Sequence, residues 1–119
     1  MALGKIKADQ LEHSTAGSLD TQFVVKGSAK AWLQYLQATP VVTDSFNISS
    51  VADNSTGNFT VNYTNAFDNS GHARSLMANS GFYCGVQDRA TGSTQLHNRS
   101  DANSLTDTGA YGAFHGDLA

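Results

Sequence analysis

Four histidines, one cysteine and the seven aspartates beyond residue 40 are the side chains of this 119-residue chain best suited to catalysis or metal binding. His13, His72, His97 and His115 never fall at H-x-H or H-x-x-x-H spacing, and none has a cysteine beside it, so a one-chain metal cage has no signature. Three chains meeting on an axis could still offer three copies of His13, but an ordinary exposed residue is the favoured reading there. Asp44, Asp53, Asp68, Asp88, Asp101, Asp107 and Asp117 are numerous enough for the carboxylate pair of a glycoside hydrolase. Nearly all of them sit beside Asn, Ser, Gly or Thr, where an aspartate usually hydrogen-bonds the backbone of a turn. There is no G-x-S-x-G elbow, no nucleophile signature around Cys84, and the glycines of "TGAYGAFHG" follow no strand-then-helix pattern that would cradle phosphate. The expectation is a protein that is not an enzyme and uses no cofactor or metal.

Binding is better supplied with groups. "DNSGH" at 68–72, "QDRATGS" at 87–93 and "HNRSD" at 97–101 mix charge, amide and imidazole groups able to hydrogen-bond a saccharide. The candidate receptor-binding residues are therefore Asp68, His72, Asp88, Arg89, His97, Asn98 and Arg99, expected on loops of a rigid scaffold. Trp32, Tyr35, Tyr83 and Tyr111 could stack on sugar rings, although Trp32 lies inside an apolar run and is expected in the core.

The scaffold that must hold these groups is legible from composition. Only 14% of residues are charged, against about 25% in an ordinary soluble chain, while Ser, Thr, Asn and Gly supply 44 of the 119. Short hydroxyl and amide side chains favour turns and the outer faces of strands over helices, so the chain leans all-β. The net charge is −3, and residues 31–119 hold three arginines, seven aspartates and no glutamate, which disfavours nucleic acid because few phosphate counterions could be released. Cys84 has no intrachain disulfide partner, and its setting in "GFYCGV" suits a small buried hydrophobe. No apolar run reaches the ~18 residues of a membrane span, and "MALGKIKADQ" lacks the hydrophobic centre of a signal peptide.

The length suits one domain of ~100–150 residues with a short appendage. Residues 1–21 hold few large apolar groups beyond Leu3, Ile6, Leu11 and Leu19, and read as an extended arm or stalk; residues 22–119 read as an antiparallel β domain. Strands are expected near residues 22–26, 28–36, 45–51, 58–66, 72–78, 81–88, 93–99 and 109–117, a spacing that suggests a sandwich or barrel. "SAKAWLQYLQ" also fits a helix, with Ala29, Trp32, Leu33 and Leu36 at i, i+3, i+4 and i+7; the strand alternative puts Ala31, Leu33 and Tyr35 on one side. The clearest period-two pattern is "NFTVNYT", which places Phe59, Val61 and Tyr63 on one face and Asn58, Thr60, Asn62 and Thr64 on the other. That alternation generates two of the five N-x-[ST] triplets, so they read as a by-product of an Asn/Thr-rich strand face and not as glycan acceptors.

"GSAKAWLQY", followed after a proline-containing break by "DSFNISSVADNSTGNFTVNYTNAF", resembles the carboxy-terminal domain of bacteriophage and prophage tail fibre proteins. The pattern of that family is G-[ST]-A-K-A-W, D-S-F-N-[IV]-S-S, a D-N-x-T-G turn and Y-T-[IV]-N-[FY]; the matching positions are residues 27–32, 44–50, 53–57 and 59–63, with Phe59 in place of the tyrosine that opens the last. Residues 7–25 are similar to the linker preceding that domain, and the likeness covers residues 5–67 and fades beyond. The resemblance implies a small antiparallel β-sandwich, jelly-roll-like and homotrimeric. It implies a virion protein made in the bacterial cytoplasm, attached to other tail proteins and binding a bacterial surface glycan or protein receptor, with no membrane insertion. A purely structural tail or capsid-decorating role is the alternative. A trimer would also shelter the few leucines of the arm on a threefold axis.

Overall fold

A computed structural model describes residues 4–119, so Leu3, one of the arm's few apolar groups, lies outside the described residues. The elements are β1 (Gln10–His13), β2 (Gly17–Asp20), α1 (Thr21–Gly27), β3 (Ala31–Leu36), β4 (Val41–Phe46), β5 (Ile48–Ser55), β6 (Asn58–Tyr63), β7 (Ala73–Ala78), β8 (Phe82–Arg89), β9 (Ser93–Ser100) and β10 (Gly109–His115). The described chain is thus nearly all β with one short helix, and its named strand pairs are antiparallel. A two-stranded β1-β2 hairpin precedes two four-stranded sheets, ordered β4-β3-β10-β7 and β5-β6-β9-β8.

The two larger sheets face each other across one core, and strand alternation decides what enters it. Phe59, Val61 and Tyr63 point inward from β6, as the period-two pattern requires, while Ala31, Leu33 and Tyr35 do so from β3 and settle the helix-or-strand ambiguity there in favour of strand. Leu96, Ala110, Phe114 and Phe67 complete the core. Rings meet across the layers: Tyr35 packs on Phe59 at 5.0 Å and Tyr63 meets the edge of Phe114 at 5.4 Å between centroids. Burying each such ring contributes about 1.5–3 kcal/mol, so these contacts fix the register of both sheets.

Four expectations need correction. Residues 22–26 are not a strand but lie in α1: their β-branched and aromatic side chains are exposed and no sheet edge pairs with them, so local bonds such as Ser28 N–H to the Val24 carbonyl (3.2 Å) satisfy the backbone instead. The arm is not simply extended, because residues 10–20 fold back as a hairpin turning at Gly17 (φ +91°), and the sandwich begins at Ala31 and not at residue 22. The single strand expected at 45–51 is two strands in different sheets, broken at Asn47 in the left-handed region (φ +57°). Asparagine tolerates that conformation, and its side chain clamps Asn65 by donating to the Asn65 carbonyl (3.1 Å) and accepting from its N–H (2.8 Å). Finally, Trp32 is 38% exposed and not in the core, because its two strand neighbours Ala31 and Leu33 take the inward positions.

Candidate ligand-binding face

Turning Phe59, Val61, Tyr63, Thr94, Leu96 and Asn98 inward leaves the opposite side of the β5-β6-β9-β8 sheet to polar groups. Asn58, Thr60 and Asn62 of β6 lie beside Ser93, Gln95, His97 and Arg99 of β9, and Tyr83, Gly85 and Asp88 of β8 complete the face. The side chains interlock: Gln95 Nε2 donates to Asn58 Oδ1 (2.9 Å), Asn62 Nδ2 to Ser50 Oγ (3.1 Å) and Asn54 Nδ2 to Thr60 Oγ1 (2.7 Å). Asn58 and Asn62 are therefore parts of an ordered polar lattice on a regular strand.

One end of this face is the most organised. Tyr83 and Arg99 are register partners across the β8-β9 hairpin, and both are held by Asn103 in the following loop. Tyr83 OH donates to Asn103 Oδ1 (2.7 Å) and Arg99 Nη1 to the Asn103 carbonyl (3.0 Å). Asn103 can present both acceptors because it adopts the left-handed conformation (φ +62°), and its N–H is tied back to the Ser100 carbonyl at 2.8 Å. Two residues along the strands, His97 lies over Gly85, where a side-chain carbon on the glycine would meet Nε2 at 2.8 Å. The missing side chain lets the imidazole lie across the neighbouring strand. Burial and the Arg99 charge lower the His97 pKa from its usual value, favouring a neutral ring with one donor and one acceptor. An exposed phenol, a guanidinium and an imidazole, held in place before any ligand arrives, form a surface suited to hydroxyl-rich molecules.

The candidates were expected on loops, but Asp88 and Arg89 lie in β8 and His97, Asn98 and Arg99 in β9, because the turn-like composition of these stretches belongs to paired strands; His97, Arg99 and Asp88 share this face, and Arg89 ends the exposed edge strand β8. Asp68 is exposed in the loop after Phe67 and accepts from Asn69 Nδ2 (2.6 Å). Two candidates are unavailable to a ligand. His72 is 4% exposed, wedged between Phe67 and Tyr63, and Asn98 is fully buried with Nδ2 donating to the Thr108 carbonyl (3.2 Å). Both are polar residues recruited inward to satisfy buried partners. Asp44 and Asp88 also differ from the turn reading: both lie in strands beside register shifts, each accepting from the next residue's N–H. Asp107 does bind turn backbone, accepting from Gly57 N–H at 2.7 Å.

Sequence reasoning missed Asn103, Gly85 and Gln95 as parts of the face. Their only local signal is polarity or smallness, and their role depends on strand pairing. His13, weighed as an axial ligand, instead accepts Thr15 and Ala16 N–H at Nδ1 in its own hairpin turn (3.3 and 3.2 Å). Among the described residues no group of three or more His, Cys, Asp or Glu side chains is placed to hold a metal, and no helix is long and apolar enough to cross a membrane. Comparison with models of known protein families, with curated proteins and with solved structures finds no match to this chain.

Proposed function

We propose that this chain is a bacteriophage tail fibre domain, a jelly-roll-like sandwich acting as a homotrimer, that attaches the virion to a bacterial surface glycan through the outer face of its β5-β6-β9-β8 sheet. The observation that carries the reading is the pair of exposed Tyr83 and half-buried Arg99, pinned by Asn103 beside His97. Support also comes from the fibre-like motifs at residues 27–63 and from the N-terminal hairpin and helix, which bury no side chain of their own and need a partner to be stable. Sugars offer hydroxyls to amide, imidazole and guanidinium groups and a flat apolar side to a phenol, and this face supplies all of these.

The test is binding of the full chain to immobilised lipopolysaccharides and capsular polysaccharides from a panel of bacteria. Binding to at least one, lost about tenfold or more in Tyr83→Ala and Arg99→Ala, is the expected result. No binding across the panel, or unchanged binding in both variants, contradicts it. A purely structural virion component is the second reading, favoured by the exposed Ile6, Phe23 and Val25 of the N-terminal unit, which offer apolar contacts to other virion proteins.

A further inference from the structure

Three buried polar atoms at one end of the sandwich have nothing to bond to. Among the described residues, Tyr35 OH, Gln37 Oε1 and Asn98 Oδ1 are enclosed without a hydrogen-bond partner, in side chains that are 2, 1 and 0% exposed. An amide oxygen gives up its water when it is buried, so an unpaired one marks either a cost or a ligand. These atoms are gathered by the fold. The Thr108 carbonyl accepts both Gln37 N–H (3.3 Å) and Asn98 Nδ2 (3.2 Å), which ties the residue just past the end of β3 to β9 of the opposite sheet. Tyr35, two residues before Gln37 on the same inward row, packs its ring on Phe59. Two carboxylates border the same end. Asp53, the register partner of Phe59, accepts from Gln37 Nε2 at 3.1 Å. Asp107 accepts from Gly57 N–H at 2.7 Å, and the Gly57 carbonyl accepts from Asn98 N–H at 2.7 Å. Each carboxylate uses one oxygen in these bonds and has the other to offer. Burial, then the charges of Asp53 and Asp107, push the Tyr35 phenol up from its usual value, so both carboxylates act on this hydroxyl.

We propose that this end of the sandwich is a calcium site, with Gln37 Oε1, Asn98 Oδ1, Asp53 and Asp107 as its oxygen ligands and Tyr35 OH bonded to a water that completes the shell. Chemistry selects the ion. An amide oxygen only accepts, so whatever lies between Gln37 and Asn98 must bring protons or positive charge. A lone water brings two protons and no charge, whereas the bonds to Asp53 and Asp107 come from an uncharged amide and a backbone N–H and leave both carboxylates unneutralised. Carboxylate and amide oxygens without imidazole or thiolate suit a hard cation. Ca²⁺ accepts such a set in flexible geometry, while Mg²⁺ demands a strict octahedron and holds on to its water. With only two carboxylates among four ligands, the site contains no triplet of His, Cys, Asp or Glu, and sequence spacing gives no sign of it. Asp107 lies in the same β9–β10 loop as Asn103, so a bound ion braces the loop that presents Asn103.

The experiment is thermal unfolding of the full chain, first stripped with EDTA, in calcium, in magnesium and in EDTA alone, with calorimetric titration of calcium chloride alongside. One calcium per chain is expected, with a dissociation constant of about 0.1–1 mM, the range of extracellular calcium modules. At ~10 mM calcium the melting temperature should rise by about 5 °C or more, and at equal magnesium much less. Asp53→Asn and Asp107→Asn keep the acceptor that holds Gln37 Nε2 or Gly57 N–H, and each should weaken calcium binding about tenfold with the β-sheet circular dichroism unchanged. Asp44→Asn, at an exposed acid on the edge strand β4, should bind calcium as the wild type does. Equal melting temperatures in calcium and in EDTA overturn the site and leave a buried water as the occupant. Equal responses to calcium and magnesium, or wild-type affinity in both Asp53→Asn and Asp107→Asn, overturn it in favour of diffuse surface charge. Calcium against EDTA on the unmodified chain carries the test even if a variant fails to fold.

Discussion

The rings of Phe67 and His72 lie 3.8 Å apart between centroids and 7° from parallel, sealing one end of the core. His72 donates from Nδ1 to the Asn69 carbonyl (3.1 Å), which leaves Nε2 to accept from Tyr63 OH (3.0 Å). Tyr63 in turn accepts from Thr94 Oγ1 (2.7 Å), and Thr94 accepts from Arg74 Nε (3.0 Å). Every polar hydrogen in this chain of bonds has an acceptor only while the imidazole is neutral.

Burial, reinforced by the Arg74 charge and opposed by the Asn69 carbonyl and by Asp68, lowers the His72 pKa below 6.5. The unfolded chain therefore binds this proton more readily than the folded one. The stabilisation is complete above about pH 6.5 and is lost as pH falls from there through the folded-state value. The melting temperature should drop between pH 7 and pH 5. His72→Phe keeps a ring on Phe67, and should flatten that drop while lowering stability at pH 7 by about 1 kcal/mol through the lost hydrogen bonds. Thermal unfolding of both proteins across this range is the measurement; equal slopes would contradict the assignment.

Gly57 turns β5 into β6 at φ +66°, and a side-chain carbon there would stand 2.5 Å from Thr106 N and 2.7 Å from the Asn98 carbonyl. Gly57→Ala combines left-handed strain with a backbone clash and should destabilise by about 2–3 kcal/mol. Urea denaturation would show this as a lower midpoint with little change in slope.

Phe59 is fully buried between the sheets against Tyr35. Phe59→Ala should cost about 3–5 kcal/mol, enough to leave much of a small domain unfolded at 37 °C. Wild-type stability in this variant would mean the two sheets do not share that core.

Burial pushes the Cys84 thiol up to about 12, in keeping with its reading as a small hydrophobe packed against the core. At pH 8 its reaction with a disulfide reagent should run roughly a thousandfold slower than that of a free cysteine, and denaturant should restore the ordinary rate.

Much of this was legible where one rule acts alone. "NFTVNYT" alternates cleanly, so the inward face of β6 and the polar face carrying Asn58 and Asn62 follow from period two. Legibility failed where a distant partner decides. "QFVVK" has β-forming residues, but strand formation also needs a neighbouring edge, which local sequence does not reveal. Trp32 reads as internal because it sits among apolar residues; alternation, once β3 is a strand, forces it outward. The same limit applies to the site. Both His72 and Asn98 look like surface groups until Tyr63 and Thr108 arrive from elsewhere in the chain to bond them, and the Tyr83 and Arg99 pairing depends on a hairpin register that shifts between Val86 and Asp88.

The most direct test of the account is to map a bound polysaccharide fragment onto the protein by amide and side-chain NMR shifts. The fragment should come from a surface polysaccharide that the full chain retains. The prediction is that Tyr83, His97, Arg99 and Asn103 shift with a common saturation curve while Trp32 and Met77 stay in place. Shifts centred on Trp32 and Met77, with the Tyr83 end unmoved, would contradict the account.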